Sequence, residues 1–342
     1  MQNSIIKLVR PNILAMKPYK SLRDSLSIDA PVFLDVNENP YGKFNRYPDS
    51  KHTKLRSKLA ELRNLNPENI AVSNGSDEMI DLLIKIFCRP KEDKILVIKP
   101  SFAMYSFYAS INENEVVPLN LDENFQIDEQ EFLDKIKEEN IKILFLCSPN
   151  NPTANTFENL EFYIRNFTGI VVLDEAYVDF SSKGSMQSLL AKYDRLVILQ
   201  TLSKAWGLAA LRIGIALANE AIIDLIYTIK SPFNISQINL ESALLELSNA
   251  DIYKKNLNNI LVEKERLQKE LKDVSVIEKI FPSEANFFLI KFWDAAMVYQ
   301  KLLDKRILTS KRFPEIPSAL RINVGTPEEN NLLITTLKTI DQ

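Results

Sequence analysis

The segment that most strongly suggests chemistry is TLSKAWGLAALR (201–212), which follows a predicted strand and holds Lys204 in apolar surroundings. Burial lowers the proton affinity of an amine, and a neutral lysine amine is a nucleophile toward a carbonyl carbon. Thr201, Ser203 and Arg212 in the same segment could bind a phosphate nearby. Taken alone, the pattern is explained more simply by a buried lysine whose amine reaches toward solvent.

A glycine-containing segment between a predicted strand and a predicted helix is the second candidate. In SNGSDE (73–78), Gly75, Ser76 and Asp77 occupy the expected helix start. The first N–H groups of a helix have no partner within the helix, and the helix dipole favours an anion such as phosphate there. Capping of the helix by Ser76 or Asp77 would explain the same residues without a ligand, and on this segment alone it is the favoured interpretation.

Two other predicted strands end in polar side chains. LDEAYVDF (173–180) puts Asp174 at a strand end with Tyr177 three residues later, and CSPNNPT (147–153) puts Asn151 after another strand. A buried carboxylate is costly without a partner, and a protonated ring nitrogen would be a suitable one. Asn151 could donate to a ring oxygen, although an Asn-Pro turn explains it without a ligand.

Composition excludes several classes of chemistry. The 342 residues are 46% hydrophobic and 25% charged, as in folded globular proteins, and this length favours two domains. A net charge of −3 gives no bulk attraction to nucleic acid or to an anionic membrane, so neither is expected as a partner. The single histidine, His52, is flanked by lysines and predicted to be a solvated residue at a helix start, so no metal site is expected. Cys88 and Cys147 lie in apolar runs and are predicted to be buried, reduced thiols.

The sequence lacks the common nucleotide-binding and hydrolase fingerprints and shows no clear targeting signal. The glycine fingerprints GxGxxG, GxxxxGK[ST] and GxSxG do not occur. The first twelve residues do not resemble a secretory signal, and the longest apolar stretch, 205–218, is short and contains Arg212. The expected location is the cytoplasm.

The positions of the candidate side chains follow from alternating strand-like and helix-like segments. The strand-like runs are rich in Val, Ile and Leu with little polar alternation, which is typical of a mostly parallel sheet covered on both faces. The predicted strands lie within 70–75, 94–100, 142–149, 169–177, 195–201 and 212–218. Ligands of such sheets bind at the carboxyl ends of the strands, where the four candidate segments begin.

The pattern changes after about residue 231. A long charged helical region, 237–271, precedes short alternating segments that predict a smaller α+β domain. The predicted large cofactor-binding domain covers 29–234. The small domain combines 235–342 with an N-terminal arm, 1–28, that is expected to pack on it.

The order and spacing of these segments resemble one known family. SNGSDE, SPNNPT, LDEAY and SKAWGLAALR are similar to motifs of the fold-type I pyridoxal-phosphate enzymes. LDVNENPYG, NRYPD, ANFFL and LRINVGTPEEN extend the resemblance to the histidinol-phosphate aminotransferases, from about Pro11 to the C-terminus. The resemblance implies an α/β fold of the aspartate-aminotransferase type, pyridoxal 5'-phosphate as cofactor, and a homodimer.

The resemblance also implies a role for each matching residue. Lys204 would bond covalently to the cofactor and later move the substrate proton. Asp174 would pair with the ring nitrogen, with Tyr177 and Asn151 on the ring hydroxyl and Phe102 stacked on the ring. The cofactor phosphate would be bound by Ser76, Asp77, Thr201, Ser203 and Arg212, and by Tyr47 of the neighbouring subunit. The substrate side would include Tyr19, Asn37 and Arg321, with Arg321 on the α-carboxylate of the amino donor.

The resembling segments depart from the family pattern at the expected binding site for the substrate phosphate. The family usually has an arginine where this chain has Ser310, and Lys311 and Arg312 follow at once. Arg312 or Lys311, helped by Tyr19, is therefore expected to bind that phosphate, with Arg312 as the first candidate. Ala154 also replaces the glycine of the family's NPTG turn.

The predicted reaction is transamination between glutamate and a small phosphorylated ketone. Imidazole-acetol phosphate, which gives histidinol phosphate, is the leading acceptor. Dihydroxyacetone phosphate is the alternative because of the altered segment at Ser310. A decarboxylase of a phosphorylated amino acid on the same scaffold, and a non-catalytic pyridoxal-binding regulator, are less favoured.

Overall fold

The computed structural model describes residues 5–18, 23 and 32–340. A seven-stranded sheet forms the centre of the larger unit. Its strands are β1 (Ile70–Asn74), β2 (Lys94–Lys99), β3 (Glu115–Asn120), β4 (Ile141–Cys147), β5 (Ile170–Asp174), β6 (Leu196–Thr201) and β7 (Ile213–Ala218). They are ordered β1-β7-β6-β5-β4-β2-β3, and only β7 runs antiparallel to its neighbours. The predicted mostly parallel sheet is confirmed.

Helices connect the strands and cover the sheet. In chain order they are α1 (Pro11–Leu14), α2 (Thr53–Arg63), α3 (Ser76–Phe87), α4 (Met104–Ile111), α5 (Glu129–Lys135), α6 (Leu160–Asn166), α7 (Glu220–Ile229), α8 (Gln237–Leu247), α9 (Ala250–Leu271), α10 (Ala295–Asp304) and α11 (Pro327–Thr339). Short 3₁₀ turns lie at Pro67–Asn69, Val178–Phe180, Gln187–Ala191 and Ala209–Leu211.

The apolar strands are buried on both faces. Along β2, Ile95 and Val97 belong to one apolar core while Leu96 and Ile98 belong to another, because successive side chains point to opposite faces of a sheet. Strands β1, β4, β5 and β6 run in the same direction, so their carboxyl ends share one edge. That edge carries the candidate segments.

The smaller unit has its own antiparallel sheet and core. Strands β8 (Ile277–Ile280), β9 (Phe287–Phe292), β10 (Ser310–Lys311) and β11 (Ala319–Asn323) are ordered β10-β11-β9-β8. Their apolar face packs with residues of α9, α10 and α11, including Leu267, Val298 and Leu337. An α+β unit after residue 231 is what the sequence pattern predicts.

Two segments pack differently from the sequence expectation. Ile5, Val9 and Ile13 of the arm share a core with the large sheet, and the Arg10 N–H donates to the Ile86 carbonyl (3.0 Å). Helix α8 also adds apolar side chains to a core of the large sheet. Placing the described part of the arm on the small unit was wrong, because its apolar side chains fit against α3. The domain boundary at 234/235 stays a prediction.

His52 is the other correction. It is 1% exposed at the start of α2, and neither ring nitrogen has a partner among the described residues. Residues of α7 cover this turn: the Tyr227 hydroxyl donates to the Lys51 carbonyl (3.3 Å), and Lys230 lies beside it. Burial and the neighbouring Lys230 ammonium lower the pKa of His52 to about 3. The charged sequence neighbours wrongly indicated a solvated side chain.

Both cysteines are buried and unpaired, as predicted. Within the described residues, no helix has the length and apolar character needed to cross a membrane.

Candidate active site

The candidate segments meet at the carboxyl edge of the large sheet. The last residues of β4 and β5, Cys147 and Asp174, are register partners, and β6 ends beside them at Thr201. Helix α3 begins at Ser76 directly after β1. Four loops that are distant in sequence therefore border one cleft, as expected for an open α/β sheet.

The cleft has a volume of about 220 Å³ and contains most of the predicted site residues. Predicted residues that line it are Ser76, Asp77, Phe102, Asn151, Asp174, Tyr177, Thr201, Ser203, Lys204, Arg212 and Arg321. Cys147 and Ala176 also line it. Arg321 comes from β11 of the small unit, so both units contribute to the cleft.

Asp174 is a buried carboxylate without a bonded cation among the described residues. It is 3% exposed and accepts hydrogen bonds from the Tyr105 hydroxyl (2.7 Å) and the Ala176 N–H (3.0 Å). Burial raises the pKa of Asp174, while the two hydrogen bonds lower it. A carboxylate in this position can stabilise a cationic group that enters the cleft.

Lys204 projects into the same cleft. Its amine lies 5.4 Å from the centre of the Tyr177 ring. Although the Lys204 side chain is exposed in the open cleft, partial loss of hydration there and the nearby Arg321 guanidinium lower the pKa of Lys204, whereas Asp174 raises it. A lowered pKa increases the fraction of neutral amine at a given pH, which nucleophilic and proton-transfer roles require.

An aromatic contact holds the loop that carries Lys204. Trp206 stacks on Tyr253 of α9 with ring centres 3.9 Å apart and planes at 11°. The loop that carries Lys204 thus packs against the helix that leads into the small unit.

The start of α3 is open to an anion. Gly75 occupies the N-cap position at φ 79°, and no side chain caps the helix. Capping by Ser76 or Asp77, the interpretation favoured from the segment alone, does not occur. Arg212 lies at this helix start, with 3.7 Å between its guanidinium and the Asp77 carboxylate.

Two glycines allow this arrangement. A Cβ at Gly75 would lie 2.5 Å from Arg212 Nη2, and a Cβ at Gly214 would collide with the backbone of Gly75 and Ser76. The close approach of β7 to the start of α3 therefore requires glycine at position 214. Gly75 is required by its φ of 79°, since the Arg212 side chain could move aside.

Hydroxyl groups border this helix start. The Thr201 hydroxyl lies 3.0 Å from the Ser203 hydroxyl, and the Ser203 N–H donates to Thr201 Oγ1 (3.1 Å). Free helix N–H groups, two hydroxyls and a guanidinium form a donor set suited to a phosphate.

Arg321, Asn151 and Tyr177 form the opposite side of the cleft. Arg321 Nη1 donates to Asn151 Oδ1, and the guanidinium lies 5.3 Å from the centre of the Phe287 ring. Its Nε is buried without a partner among the described residues. Tyr177 packs edge-on against Phe287, and burial raises the pKa of its hydroxyl. An unused guanidinium donor in a cleft is suited to a carboxylate.

Three predicted residues within the described part of the chain do not line this cleft. Tyr47 is 52% exposed and stacks on Phe233 with ring centres 4.6 Å apart, and Asn37 is exposed. Arg312 lies at the end of β10, where its N–H donates to the Ala319 carbonyl (3.0 Å). Tyr19 lies outside the described residues.

Sequence reasoning missed the residues that support the site from beneath. Tyr105, which donates to Asp174, reads in the sequence as an ordinary core aromatic. Glu78 accepts from the Asn74 N–H (2.5 Å) and from the Asn234 side chain (2.6 Å), which ties α3 to the segment after α7. The GSDE motif includes Glu78, but nothing in the sequence indicates its partner. In the part of the chain that the structure describes, no group of side chains is arranged to hold a metal.

Comparison with known proteins identifies relatives of this chain. The family model for aminotransferase class I and II matches residues 32–337. Histidinol-phosphate aminotransferase from Parabacteroides distasonis is 43% identical over 336 residues, covering 97% of each chain. The protein of that name from Flavobacterium psychrophilum is 43% identical, covering 98% of this chain and 99% of the relative. The crystal structure of histidinol-phosphate aminotransferase from Clostridium acetobutylicum superposes with a TM-score of 0.79 at 25% identity, covering 87% of this chain and 91% of that one.

Proposed function

The chain belongs to the class I and II aminotransferases, and from this we propose that it transfers an amino group between glutamate and imidazole-acetol phosphate, forming histidinol phosphate. The observation that carries the proposal is the cleft in which Lys204, Asp174 and the uncapped start of α3 converge. Relatives that are 43% identical over nearly the full length and bear the name histidinol-phosphate aminotransferase support the choice of substrate.

The residues of the cleft fit pyridoxal 5'-phosphate. The buried Asp174 carboxylate has two neutral donors and no bonded cation in the described part of the chain, which suits a protonated ring nitrogen. The open start of α3 with Arg212, Thr201 and Ser203 suits the phosphate. When bound, pyridoxal phosphate supplies a carbonyl carbon that takes up the amino group and a ring that withdraws electrons from the substrate Cα.

The protein's own side chains carry out the proton transfers and the positioning. The neutral Lys204 amine removes the proton from the substrate Cα and returns it on the product side. Asp174 holds the proton on the ring nitrogen, while Tyr177 and Asn151 bind the ring hydroxyl. Phe102 covers the ring face. Arg321 binds the α-carboxylate of glutamate through its free donors, which fixes the Cα beside Lys204.

Arg312 is proposed to bind the phosphate of the acceptor. Ser310 pairs with Arg321 across β10 and β11, and Arg312 follows two residues later opposite Ala319. Side chains two apart on a strand share a face, so Arg312 lies on the same face as Arg321, close enough for its charge to lower the pKa of Arg321. Lys311 lies on the other face, with its amine 4.2 Å from the centre of the Tyr299 ring.

The proposal includes a homodimer with Tyr47 reaching the cofactor phosphate of the neighbouring subunit, and a cytoplasmic location. Within one chain, Tyr47 does not line the cleft. The segment around it exposes several apolar side chains that a second copy would cover, namely Val32, Leu34, Tyr41 and Phe44. Asn37 and Tyr19 would join the substrate side, as the family resemblance implies.

The test uses the purified protein in two half-reactions. L-Glutamate should convert the pyridoxal form to the pyridoxamine form, and imidazole-acetol phosphate should reverse the change in cofactor absorbance. Dihydroxyacetone phosphate should react at least tenfold more slowly at equal concentration, a difference of about 1.4 kcal/mol. A faster reaction with dihydroxyacetone phosphate would reassign the acceptor, and release of carbon dioxide from a phosphorylated amino acid would overturn transamination.

A further inference from the structure

Tyr105 lies directly behind the carboxylate at the floor of the cleft. It is fully buried in α4 and does not itself line the cleft. Its ring stacks on Phe145 with centres 4.7 Å apart and planes at 13°, and Phe102 meets it edge-on at 5.6 Å. These contacts on two sides hold the hydroxyl against Asp174.

The hydroxyl supplies one of the two hydrogen bonds that Asp174 receives from described residues. Tyr105 Oη donates to Oδ2 (2.7 Å), and the Ala176 N–H donates to Oδ1 (3.0 Å). Each donor stabilises the ionised carboxylate against the cost of burial, and each bond also fixes the orientation of the carboxylate plane. The other charged or titratable groups facing Asp174 are Asp77 of α3, Cys147 of β4, Tyr177 and Lys204.

Tyr105 differs from these groups because it donates to Asp174 without lining the cleft, whereas Cys147 lines the cleft. Lys204 is needed for the reaction itself, and Asp77 and Tyr177 line the cleft where cofactor would bind. Burial raises the pKa of the Tyr105 hydroxyl well above its usual range, so it stays a protonated donor throughout the working pH range.

We infer that Tyr105 is a positioning residue that keeps Asp174 ionised and oriented toward the ring nitrogen of the cofactor. This inference rests on the proposed function. Tyr105, a residue outside the cleft, would then determine how strongly the Asp174 carboxylate stabilises the proton on the ring nitrogen.

The direction of the effect follows from the hydrogen bond. Loss of the Tyr105 hydroxyl removes a donor from the carboxylate, so the pKa of Asp174 rises and a larger fraction is protonated at a given acidic pH. A protonated Asp174 cannot hold the ring nitrogen in its cationic form. Cofactor affinity and turnover should therefore both fall, and the acid limb of the kcat profile should move to higher pH.

The experiment compares Tyr105→Phe with Tyr163→Phe in the full-length protein. Tyr163 is a matched control because it is also buried, while its hydroxyl donates to the Ile127 carbonyl (3.0 Å) away from the cleft. Tyr105→Phe should raise the Kd for pyridoxal phosphate roughly tenfold and move the acid limb upward by about one pH unit. Tyr163→Phe should change neither quantity.

A double-mutant cycle with Asp174→Asn tests whether Tyr105 acts through the Asp174 carboxylate. In the asparagine background Tyr105→Phe should change the Kd less than twofold, because an amide does not titrate. Incorporating 3-fluorotyrosine at position 105 keeps the ring and makes the hydroxyl a stronger donor, so the acid limb should move downward; this variant also serves if Tyr105→Phe does not fold.

The outcomes separate the inference from the proposed function. Suppose that the wild-type protein binds pyridoxal phosphate and transaminates, but Tyr105→Phe leaves both the Kd and the acid limb unchanged. That result overturns the role of Tyr105 and leaves the proposed function intact. An equal effect of Tyr105→Phe in both backgrounds also overturns that role. A wild-type protein without transamination rejects the proposed function instead.

Discussion

Replacing Arg312 with alanine tests the proposed binding site for the acceptor phosphate. The family resemblance expects an arginine where this chain has Ser310, so the cationic partner of the phosphate must come from another residue. Arg312 follows β10 on the face that carries Arg321, and among the described residues its guanidinium has one hydrogen bond, from Nε to the carbonyl of its sequence neighbour Lys311 (2.6 Å). Its remaining donors can reach a ligand without breaking a tertiary contact.

The magnitude follows from the strength of a charge-assisted hydrogen bond. Such a bond contributes roughly 1.5–3 kcal/mol, which corresponds to a tenfold to 150-fold change in an equilibrium constant. Arg312 is partly exposed, so solvent screening places the expected loss near the lower end of that range. Arg312→Ala should therefore raise the KM for imidazole-acetol phosphate at least tenfold and leave the glutamate half-reaction nearly unchanged.

The assay is stopped-flow measurement of the two half-reactions, with two control variants. Lys311→Ala removes the neighbouring cation on the opposite face and should alter neither half-reaction by more than twofold. Arg321→Ala should instead impair the glutamate half-reaction. If Arg312→Ala behaves like Lys311→Ala, the phosphate site is misplaced and the reasoning from strand register is wrong.

Three further predictions follow from the site and its surroundings. Asp174→Asn should retain bound cofactor yet lower turnover by roughly two orders of magnitude or more, because an amide cannot stabilise a protonated ring nitrogen; turnover within a few-fold of wild type would refute its role. Mixing inactive Lys204→Ala and Tyr47→Ala proteins should restore activity through one complete site per mixed dimer, whereas sedimentation of a fully active monomer would exclude the shared site. His52 has its ordinary pKa of 6.5 in the unfolded chain and a pKa of about 3 in the folded chain, so stability should fall as pH drops from 6.5 toward 3. At pH 5 this amounts to about 2 kcal/mol, measured by urea unfolding, and His52→Gln should remove that part of the pH dependence.

The parallel sheet and the location of the cleft could be predicted from the sequence because both depend on local patterns. Continuous Val, Ile and Leu runs mark strands buried on both faces, and parallel strands bring their carboxyl ends to one edge. Asp174, Thr201 and Ser76 follow such strands directly, so their proximity needs no knowledge of distant contacts. The roles assigned to them remain predictions.

The contacts that determine the chemistry of these residues could not be predicted from the local sequence. Tyr105 reaches Asp174 across 69 residues, and Arg321 reaches Asn151 across 170. Side chains like Tyr105 serve equally well as plain core packing, so residue type alone does not identify the partner.

For His52 and the N-terminal arm, the local sequence pattern gave a wrong prediction of the packing. The charged neighbours of His52 suggested solvent, but the packing of α7 over this turn decided its burial. The arm was expected to pack on the small unit, but Ile5, Val9 and Ile13 fit an apolar surface of the large unit. In both cases a tertiary contact overrode the local pattern.

Lys204 is proposed to be the amine that binds the cofactor in this cleft. Reducing the pyridoxal phosphate-loaded protein with borohydride and mapping its peptides by mass spectrometry tests this assignment directly. We expect one modified lysine, Lys204, and no label when glutamate converts the cofactor before reduction. A label on another lysine, or one that glutamate does not remove, would contradict it.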